Sequence, residues 1–384
     1  MSVDNKVPEI RIKNFSGKWY EVALSSVIDV RSGKDYKHLG KGNIPVYGTG
    51  GYMLSVDSAL SNDEDAIGIG RKGTIDKPCI LRAPFWTVDT LFYAVPFPGF
   101  NLEFIFCLFQ KIEWKKHDES TGVPSLSKIA INNVPIYATN ELEQTAIGNY
   151  FQKLETLINQ HQKKHDKLCK FKKSMLEKMF PKQGKTMPEI RFKGFSGEWE
   201  EKELGELAEI VRGASPRPIE DPKWFDNQSS VGWLRIRDVT EQDGRIHYLE
   251  QRISKLGQEK TRVLHEKHLL LSIAASVGKP VVNYVQTGVH DGFLIFKKPL
   301  FELEFMYQWL KSFEAKWQQF GQPGSQVNLN SDIVKSQTVT IPTKEEQIAI
   351  GNYFKKLDDL INRHQQQITK LNNIKQACLS KMFV

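Results

Sequence analysis

Two glycine-rich stretches have spacings that elsewhere hold phosphate. Gly68-Ile-Gly-Arg-Lys-Gly73-Thr74 approaches the pattern of a phosphate loop, but no Lys follows the last Gly, so nothing is placed to reach a terminal phosphate. Tyr47-Gly-Thr-Gly-Gly51 lacks the third Gly of a dinucleotide fingerprint and precedes no helical pattern, which predicts a tight turn. Glu113-Trp-Lys115 and Glu314-Ala-Lys316 carry a Glu-x-Lys spacing that nucleases use, yet no Pro-Asp precedes either at a suitable distance. The signatures of serine hydrolases, zinc proteases and kinases are missing, as are the catalytic tetrad and Gly-rich cofactor motif of methyltransferases. Cys79, Cys107, Cys169 and Cys378 are dispersed without a CxxC pair, which fits neither a zinc cluster nor a disulfide framework and predicts reduced, partly buried thiols. Catalysis by this chain alone is not expected.

The chain offers instead groups that read base edges and hold phosphates. In the first half these are Arg31, Lys34, the turn residues Thr49, Gly50, Gly51 and Tyr52, then Arg71, Lys72, Trp86, and Ser125 and Ser127 in the loop 121–127. In the second half they are Arg212, Ser215, Arg217, Arg235, Arg237, Asp238, Ser276, Lys279, His290, and Gln326, Asn328 and Asn330 in an amide-rich run. Arg matches guanine bidentately and Asn or Gln matches adenine, while Lys and backbone N–H groups take phosphates and set register. Taken singly, each of these residues reads as a solvated surface group. Their placement in loops with Gly turns, which permit close backbone approach, is what argues for a site. A balance of 53 Lys plus Arg against 45 Asp plus Glu, net +8 with a pI near 9.0, favours a polyanionic partner.

Positioning these loops falls to a chain of 384 residues, long enough for two domains, whose organisation is set by an internal repeat. Residues 8–19, PEIRIKNFSGKW, return as residues 188–199, PEIRFKGFSGEW, with nine of twelve positions the same. Residues 143–162, EQTAIGNYFQKLETLINQHQ, return as residues 346–365, EQIAIGNYFKKLDDLINRHQ, so the offset grows from 180 to 203. Between these ends Gly33 pairs with Gly213 at offset 180, while Lys77-Pro78 pairs with Lys279-Pro280 and Asp89 with Asp291 at offset 202, so the second copy holds 22 extra residues early in its variable region. A whole domain has been duplicated in tandem. The shared parts are expected to build a symmetric scaffold and the divergent parts to do two versions of one job.

The closing segment of each copy places Ile147, Phe151, Leu154, Ile158, His161, His165 and Leu168, and then Ile350, Phe354, Leu357, Ile361, His364, Ile368 and Leu371, at alternating steps of four and three. That a/d seam predicts two long helices, the first covering roughly 50 Å from Ile147 to Met179. Asn140 three residues before Glu143, and Thr343 three before Glu346, have the spacing of capping boxes. Each seam needs a partner. The other copy in the same chain, running antiparallel, is the most economical one, although packing on the preceding domain or on another chain would also bury it. The seam imidazoles read as wet or partner-facing heptad positions rather than metal ligands, because no Cys or carboxylate recurs beside them in both copies.

Short β-like runs at 44–47, 66–69, 91–95, 232–236, 269–274 and 293–296, with a helical run at 303–320, make the rest of each copy an α+β domain. The expected layout is a first domain at 1–140, a helix at 141–180, a Pro- and Gly-containing linker at 181–187, a second domain at 188–342 and a second helix at 343–384. No apolar run approaches the ~20 residues that cross a bilayer, and the N-terminal residues have no apolar core or cleavage site of a secretory signal. A cytoplasmic protein without a membrane partner is expected.

The two opening segments, the two closing segments and the KMF triplets at 178–180 and 381–383 resemble the specificity subunit of Type I restriction-modification systems, and the likeness covers essentially the whole chain. The resemblance implies two target recognition domains, each reading one half of a split double-stranded DNA site. It further implies that two conserved helices hold these domains apart as an antiparallel coiled coil, around a pseudo-two-fold, and bind two methyltransferase subunits. S-adenosylmethionine, ATP and Mg²⁺ would then serve the modification and restriction subunits, the latter a translocase and nuclease, with no cofactor or metal in this chain. The missing catalytic motifs are accounted for on that reading. Recognition domains of the family diverge widely, so no contact residue transfers by motif. A coiled-coil adaptor whose basic domains bind RNA or protein is the other reading open to the sequence, separable by retention of duplex DNA over single-stranded RNA.

Overall fold

Apolar runs of four to six residues bounded by Gly, Pro and Asp are too short for helices, and they form strands in both halves of the chain. The structure, a computed structural model, describes residues 6–274, 277–320 and 329–384. It divides into one unit of Met1–Lys163 with His364–Val384 and another of Lys164–Arg363. The first contains β1 (Tyr20–Ala23), β2 (Ile28–Ser32), β3 (Lys41–Gly48), β4 (Gly51–Val56), β5 (Ala66–Gly70), β6 (Cys79–Leu81), β7 (Trp86–Thr87), β8 (Leu91–Pro96), α1 (Leu102–Lys111), α2 (Lys128–Asn132) and β9 (Pro135–Ala138), after which α3 (Glu141–Met179) begins. Its main sheet has the order β2-β8-β5-β6, flanked by a sheet β4-β3-β7 and a ribbon β1-β9. The expected tight turn is the two-residue β3–β4 hairpin loop, closed by Gly48 opposite Gly51. The Gly68 to Thr74 stretch is strand β5 and its exit, with Gly70 opposite Leu91.

The second unit repeats this plan with additions: β10 (Glu200–Glu203), α4 (Leu204–Leu207), β11 (Glu209–Arg212), β12 (Gly232–Leu234), α5 (Ile236–Glu241), β13 (Arg245–Ile246), α6 (Lys255–Gln258), β14 (Arg262–Leu264), β15 (Leu269–Ser272), β16 (Pro280–Asn283), β17 (Thr287–Val289), β18 (Phe293–Lys297), α7 (Leu303–Phe313), α8 (Ser331–Lys335), β19 (Thr338–Ile341) and α9 (Lys344–Lys381). The main sheet here runs β11-β18-β15-β16-β13, so β2, β8, β5 and β6 correspond to β11, β18, β15 and β16, and β13 is an addition. Two expectations need correction. The strand foreseen at 232–236 stops at Leu234, because the Asp238 carboxylate accepts the Arg235 N–H at 2.8 Å and starts α5. The helical run 303–320 is α-helix only to Phe313 and continues as 3₁₀ turns over Glu314–Phe320.

Each long helix starts in the unit that precedes it in sequence and ends in the core of the other unit. In the first unit Ile147, Phe151 and Leu154 of α3 share a buried cluster with Leu379, Met382 and Phe383, against which Leu371, Ile374 and Cys378 pack. Phe383 lies among Trp19, Phe104 and Phe151, with ring centroids at 5.9, 5.5 and 5.9 Å. In the second unit Phe180 takes the same place among Trp199, Phe305 and Phe354, at 6.5, 5.4 and 6.0 Å. Burying each ring contributes roughly 1.5–3 kcal/mol, so the KMF triplets anchor the helix ends.

The helix starts depart from simple capping boxes. Asn140 Oδ1 accepts the Glu143 N–H at 3.0 Å as expected, but the Glu143 carboxylate turns inward, fully buried, and takes Arg11 Nε and Nη2, both at 2.7 Å. Arg191 grips the buried Glu346 at 2.7 and 2.6 Å in the second copy. A carboxylate with no access to water needs a charge partner more than its helix needs a second cap. Each pair thereby ties the opening motif of its copy to the closing motif.

Candidate nucleic-acid interface

In the first unit the exits of β2 and β5, the start of β8 and the loop before α2 converge. Leu126 N donates to Arg71 O (2.9 Å), Gly73 N to Pro124 O (2.8 Å), and Lys72 bridges Ser125. These ties shape a cleft of about 530 Å³ lined by Ser32, Arg71, Lys72, Phe92, Glu119, Ser125, Leu126, Ser127 and Lys128. The Arg71 guanidinium lies 5.7 Å over the Phe92 ring, and among the described residues neither Arg71 nor Lys72 makes an ion pair, so both keep charge for an external anion. Thr49, Gly50, Gly51 and Tyr52 form the β3–β4 hairpin tip, Thr49 Oγ1 lying 3.9 Å from where a Cβ on Gly73 would stand, with Tyr52 63% exposed and its hydroxyl 3.2 Å from Ser55 Oγ.

Other expected residues of this unit turn out to be committed inside the fold. Trp86 is a correction: only 6% exposed, it donates its indole N–H to Lys34 O at 2.8 Å, so its face is closed to a base. Arg31 binds Glu64 and Asp29 at 2.5 and 2.6 Å, and these hydrogen bonds, that of Glu64 first, raise its pKa. Ser127 Oγ accepts the Ala130 N–H as the N-cap of α2. Lys34 remains exposed next to Gly33, where a Cβ would stand 2.0 Å from Val88 O; Gly213 has the same constraint, 2.1 Å from His290 O.

The second unit gathers its residues around an acid outside the expected set. Asp291 accepts Ser215 Oγ (2.8 Å) and Arg217 Nη2 (2.7 Å) on its carboxylate, while Arg212 Nε reaches its carbonyl at 2.6 Å. Burial opposes ionisation, yet the Ser215 hydrogen bond and the charges of Arg217 and Arg212 hold this carboxyl below its ordinary value. The neighbouring His290 accepts the Gly292 N–H on Nδ1 (2.8 Å), an arrangement that leaves the ring N–H on Nε2, and burial lowers its pKa. The available signal for Asp291 was its pairing with Asp89 across the repeat, in a segment where little else is shared.

Arg235 and Arg237 separate in role. Arg235 is clamped by Asp238 (3.0 Å) and Glu250 (3.2 Å), and Asp238 is itself 4% exposed, so this acid caps α5 and is closed to a base. The Arg237 side chain is 69% exposed and, among the described residues, bound only to Glu241, one turn along α5. Asn330, an exposed residue, caps α8 by accepting the Asp332 and Ile333 N–H groups on Oδ1. Lys279 donates its backbone N–H to Ser272 Oγ, and Ser276, Gln326 and Asn328 lie outside the described residues. No group of three or more His, Cys, Asp or Glu able to hold a metal occurs among the described residues, and no described helix is long and apolar enough to cross a membrane.

The family described as the Type I restriction modification DNA specificity domain matches residues 16–170 and, a second time, residues 196–373. A Type I restriction enzyme MjaVIII specificity subunit of Methanocaldococcus jannaschii is 22% identical over 286 residues, 70% of this chain and 66% of that protein, so the chain spans just under two thirds of the relative's length. Among solved structures, the S subunit of a Type I restriction-modification system from M. genitalium aligns over 98% of this chain and 99% of its own, with a TM-score of 0.66 and 15% identity. A chain from a study of complex assembly in the type I R-M system aligns over 95% of this chain and 97% of its own, with a TM-score of 0.53 and 14% identity. These two likenesses establish the shared fold. Since the family match falls on both copies of the repeat and takes in most of the sequence, this chain belongs to the Type I restriction modification DNA specificity domain family.

Proposed function

We propose that the chain is the DNA-reading, non-catalytic specificity subunit of a Type I restriction-modification complex. The observation that carries this reading is the doubled family match laid over two copies of one fold, each with exposed cations at its loops. Residues 1–140 and 188–342 act as recognition domains, each for one half of a split duplex site. The first contacts DNA with Arg71, Lys72, Ser125 and the Tyr52 hairpin, the second with Arg212, Ser215, Arg217, Arg237, Lys279, His290 and Asn330. The segments 141–180, joined to the second domain through the linker 181–187, and 343–384, which follows that domain directly, pair as an antiparallel coiled coil about a pseudo-two-fold. Contacts of Tyr150 with Cys378, Glu155 with Lys375, and His161 with His364 support that pairing, because one number falls as the other rises. The exposed helix faces dock two methyltransferase subunits, which bring S-adenosylmethionine, while restriction subunits bring ATP and Mg²⁺ chemistry.

Genome-wide mapping of methylated adenine with and without this gene tests the reading. One split motif should vanish when the gene is deleted. A continuous motif, or an unchanged methylome in cells that express the complex, would refute it.

A further inference from the structure

The two units differ at one edge where the repeat makes them correspond. In the second unit β13 lies parallel to β16, with Val282 N donating to Gly244 O (2.8 Å) and Tyr284 N to Ile246 O (2.9 Å). The Arg245 side chain turns inward, 13% exposed. Its Nη1 donates to Tyr284 Oη (3.0 Å) and Glu304 Oε2 (3.1 Å), its Nη2 to Asp358 Oδ2 (3.1 Å) and Glu304 Oε1, and the guanidinium lies 4.4 Å over the Tyr307 ring. Lys172 binds the other oxygen of Asp358. Two cations and two carboxylates therefore balance inside this site.

The first unit repeats the receptor and omits the arginine. At offset 202 Ile80 and Arg82 stand for Val282 and Tyr284, at offset 201 Glu103 stands for Glu304, and at offset 203 Glu155 and Lys375 stand for Asp358 and Lys172. Lys375 binds Glu155 as Lys172 binds Asp358. The sheet, however, ends at β6. Cys79 and Ile80 are partly exposed where Val281 and Val282 are buried. Beside that edge is a cleft of about 250 Å³ whose lining includes Ile80, Arg82, Glu103, Phe106, Glu155 and Lys375. Arg82 bridges Asp65 and Glu103 from the surface, its side chain 52% exposed. Counting Arg82 and Lys375 against Asp65, Glu103 and Glu155 leaves one carboxylate in excess.

We propose that the β6 edge of the first unit receives an extended segment of another protein chain, bearing an arginine followed by an aliphatic residue, which adds parallel to β6 and seats its guanidinium between Glu103 and Glu155. Strand addition satisfies an open sheet edge, and a forked guanidinium matches paired carboxylates. The occupant comes from outside because the first copy lacks the 22 residues within whose span the second copy builds α5 and β13; its own shorter span forms the β3–β4 hairpin. Among the described residues no strand pairs with the outer edge of β6.

The test uses the second unit's own segment as probe. A fluorescent peptide of residues 242–250, Gln-Asp-Gly-Arg-Ile-His-Tyr-Leu-Glu, is titrated with the full chain and followed by anisotropy. Saturable binding is expected, weakened about tenfold or more by Arg245→Ala in the peptide, by N-methylation of its Ile backbone nitrogen, and by Glu155→Gln in the chain. The two peptide changes leave the protein untouched, so a misfolded variant cannot mimic the result. In the assembled complex, a photo-cross-linker at Ile80 should capture an arginine-bearing segment of a partner subunit. Absence of saturable binding, binding indifferent to the peptide arginine, or a cross-link only to this chain's own residues would each overturn the proposal.

Discussion

Removing Arg191 should cost the second unit more stability than removing Arg11 costs the first. Both arginines hold fully buried carboxylates with matching geometry, Nε to Oε1 at 2.7 Å in each copy, and both donate further to backbone carbonyls, to Gly17 and Ser16 or to Gly197 and Ser196. Breaking a buried pair typically costs ~3–5 kcal/mol, because it orphans the remaining charge. At the buried carboxylate the copies differ in one donor: Thr139 Oγ1 donates to Glu143 Oε2 at 2.5 Å, and Pro342 stands at the corresponding position before Glu346, with no donor to offer. A hydrogen bond to a charged group is worth about 1.5–3 kcal/mol. Arg191→Ala should therefore destabilise by about 4 kcal/mol and Arg11→Ala by about 2 kcal/mol. Urea titrations read by hydrogen exchange of peptides covering 141–150 and 344–353 assign each loss to its unit without assuming two-state unfolding. Replacing Arg191 by Met together with Glu346 by Leu should recover most of the loss, since an apolar pair of similar volume carries no desolvation cost. Equal losses in the two copies, or an Arg191→Ala protein within about 1 kcal/mol of the parent, would refute the reasoning.

Arg237→Ala should relax base preference in one half of a split motif, costing ~1–3 kcal/mol in binding, whereas Arg235→Ala should chiefly lower the stability of the second unit by removing the Asp238 clamp; methylome sequencing and urea titration of both variants distinguish these outcomes. Alanine at Arg71 and Lys72 should weaken DNA binding at all sequences alike, with the log–log salt slope reduced by about one for each phosphate no longer neutralised, and an unchanged slope in a salt series would remove this cleft from the interface. Burial lowers the His290 pKa from 6.5, so the folded state favours the neutral ring and its stabilising contribution, present above the unfolded value, is lost as pH falls below it. Urea midpoints across pH 7 to about 5 should therefore decline less steeply for His290→Gln than for the parent, and identical slopes would count against that role.

Helix existence and the duplication were legible because their signals are local or literal: the four-three steps from Ile147 to Leu168 and from Ile350 to Leu371 bury one face whatever it meets, and a repeated segment can be matched letter by letter. The two-residue turn after Tyr47 was legible for the same reason, since Gly chemistry acts within a few residues. Side-chain commitments were not. Nothing near Arg11 in sequence announces Glu143, 132 positions away, and nothing near Arg31 separates a base-reading guanidinium from one held by Glu64. Trp86 counted among the base-contacting groups because aromatic type carries no sign of burial, which is decided by strands that arrive from elsewhere in the chain. The sequence by itself determined that the second copy had 22 more residues and where they entered. Only the tertiary structure decided that this longer span contributes a helix and an edge strand whose Arg245 closes a site left open in the first copy, because strand pairing and charge pairing join residues through space, where sequence periodicity carries no information.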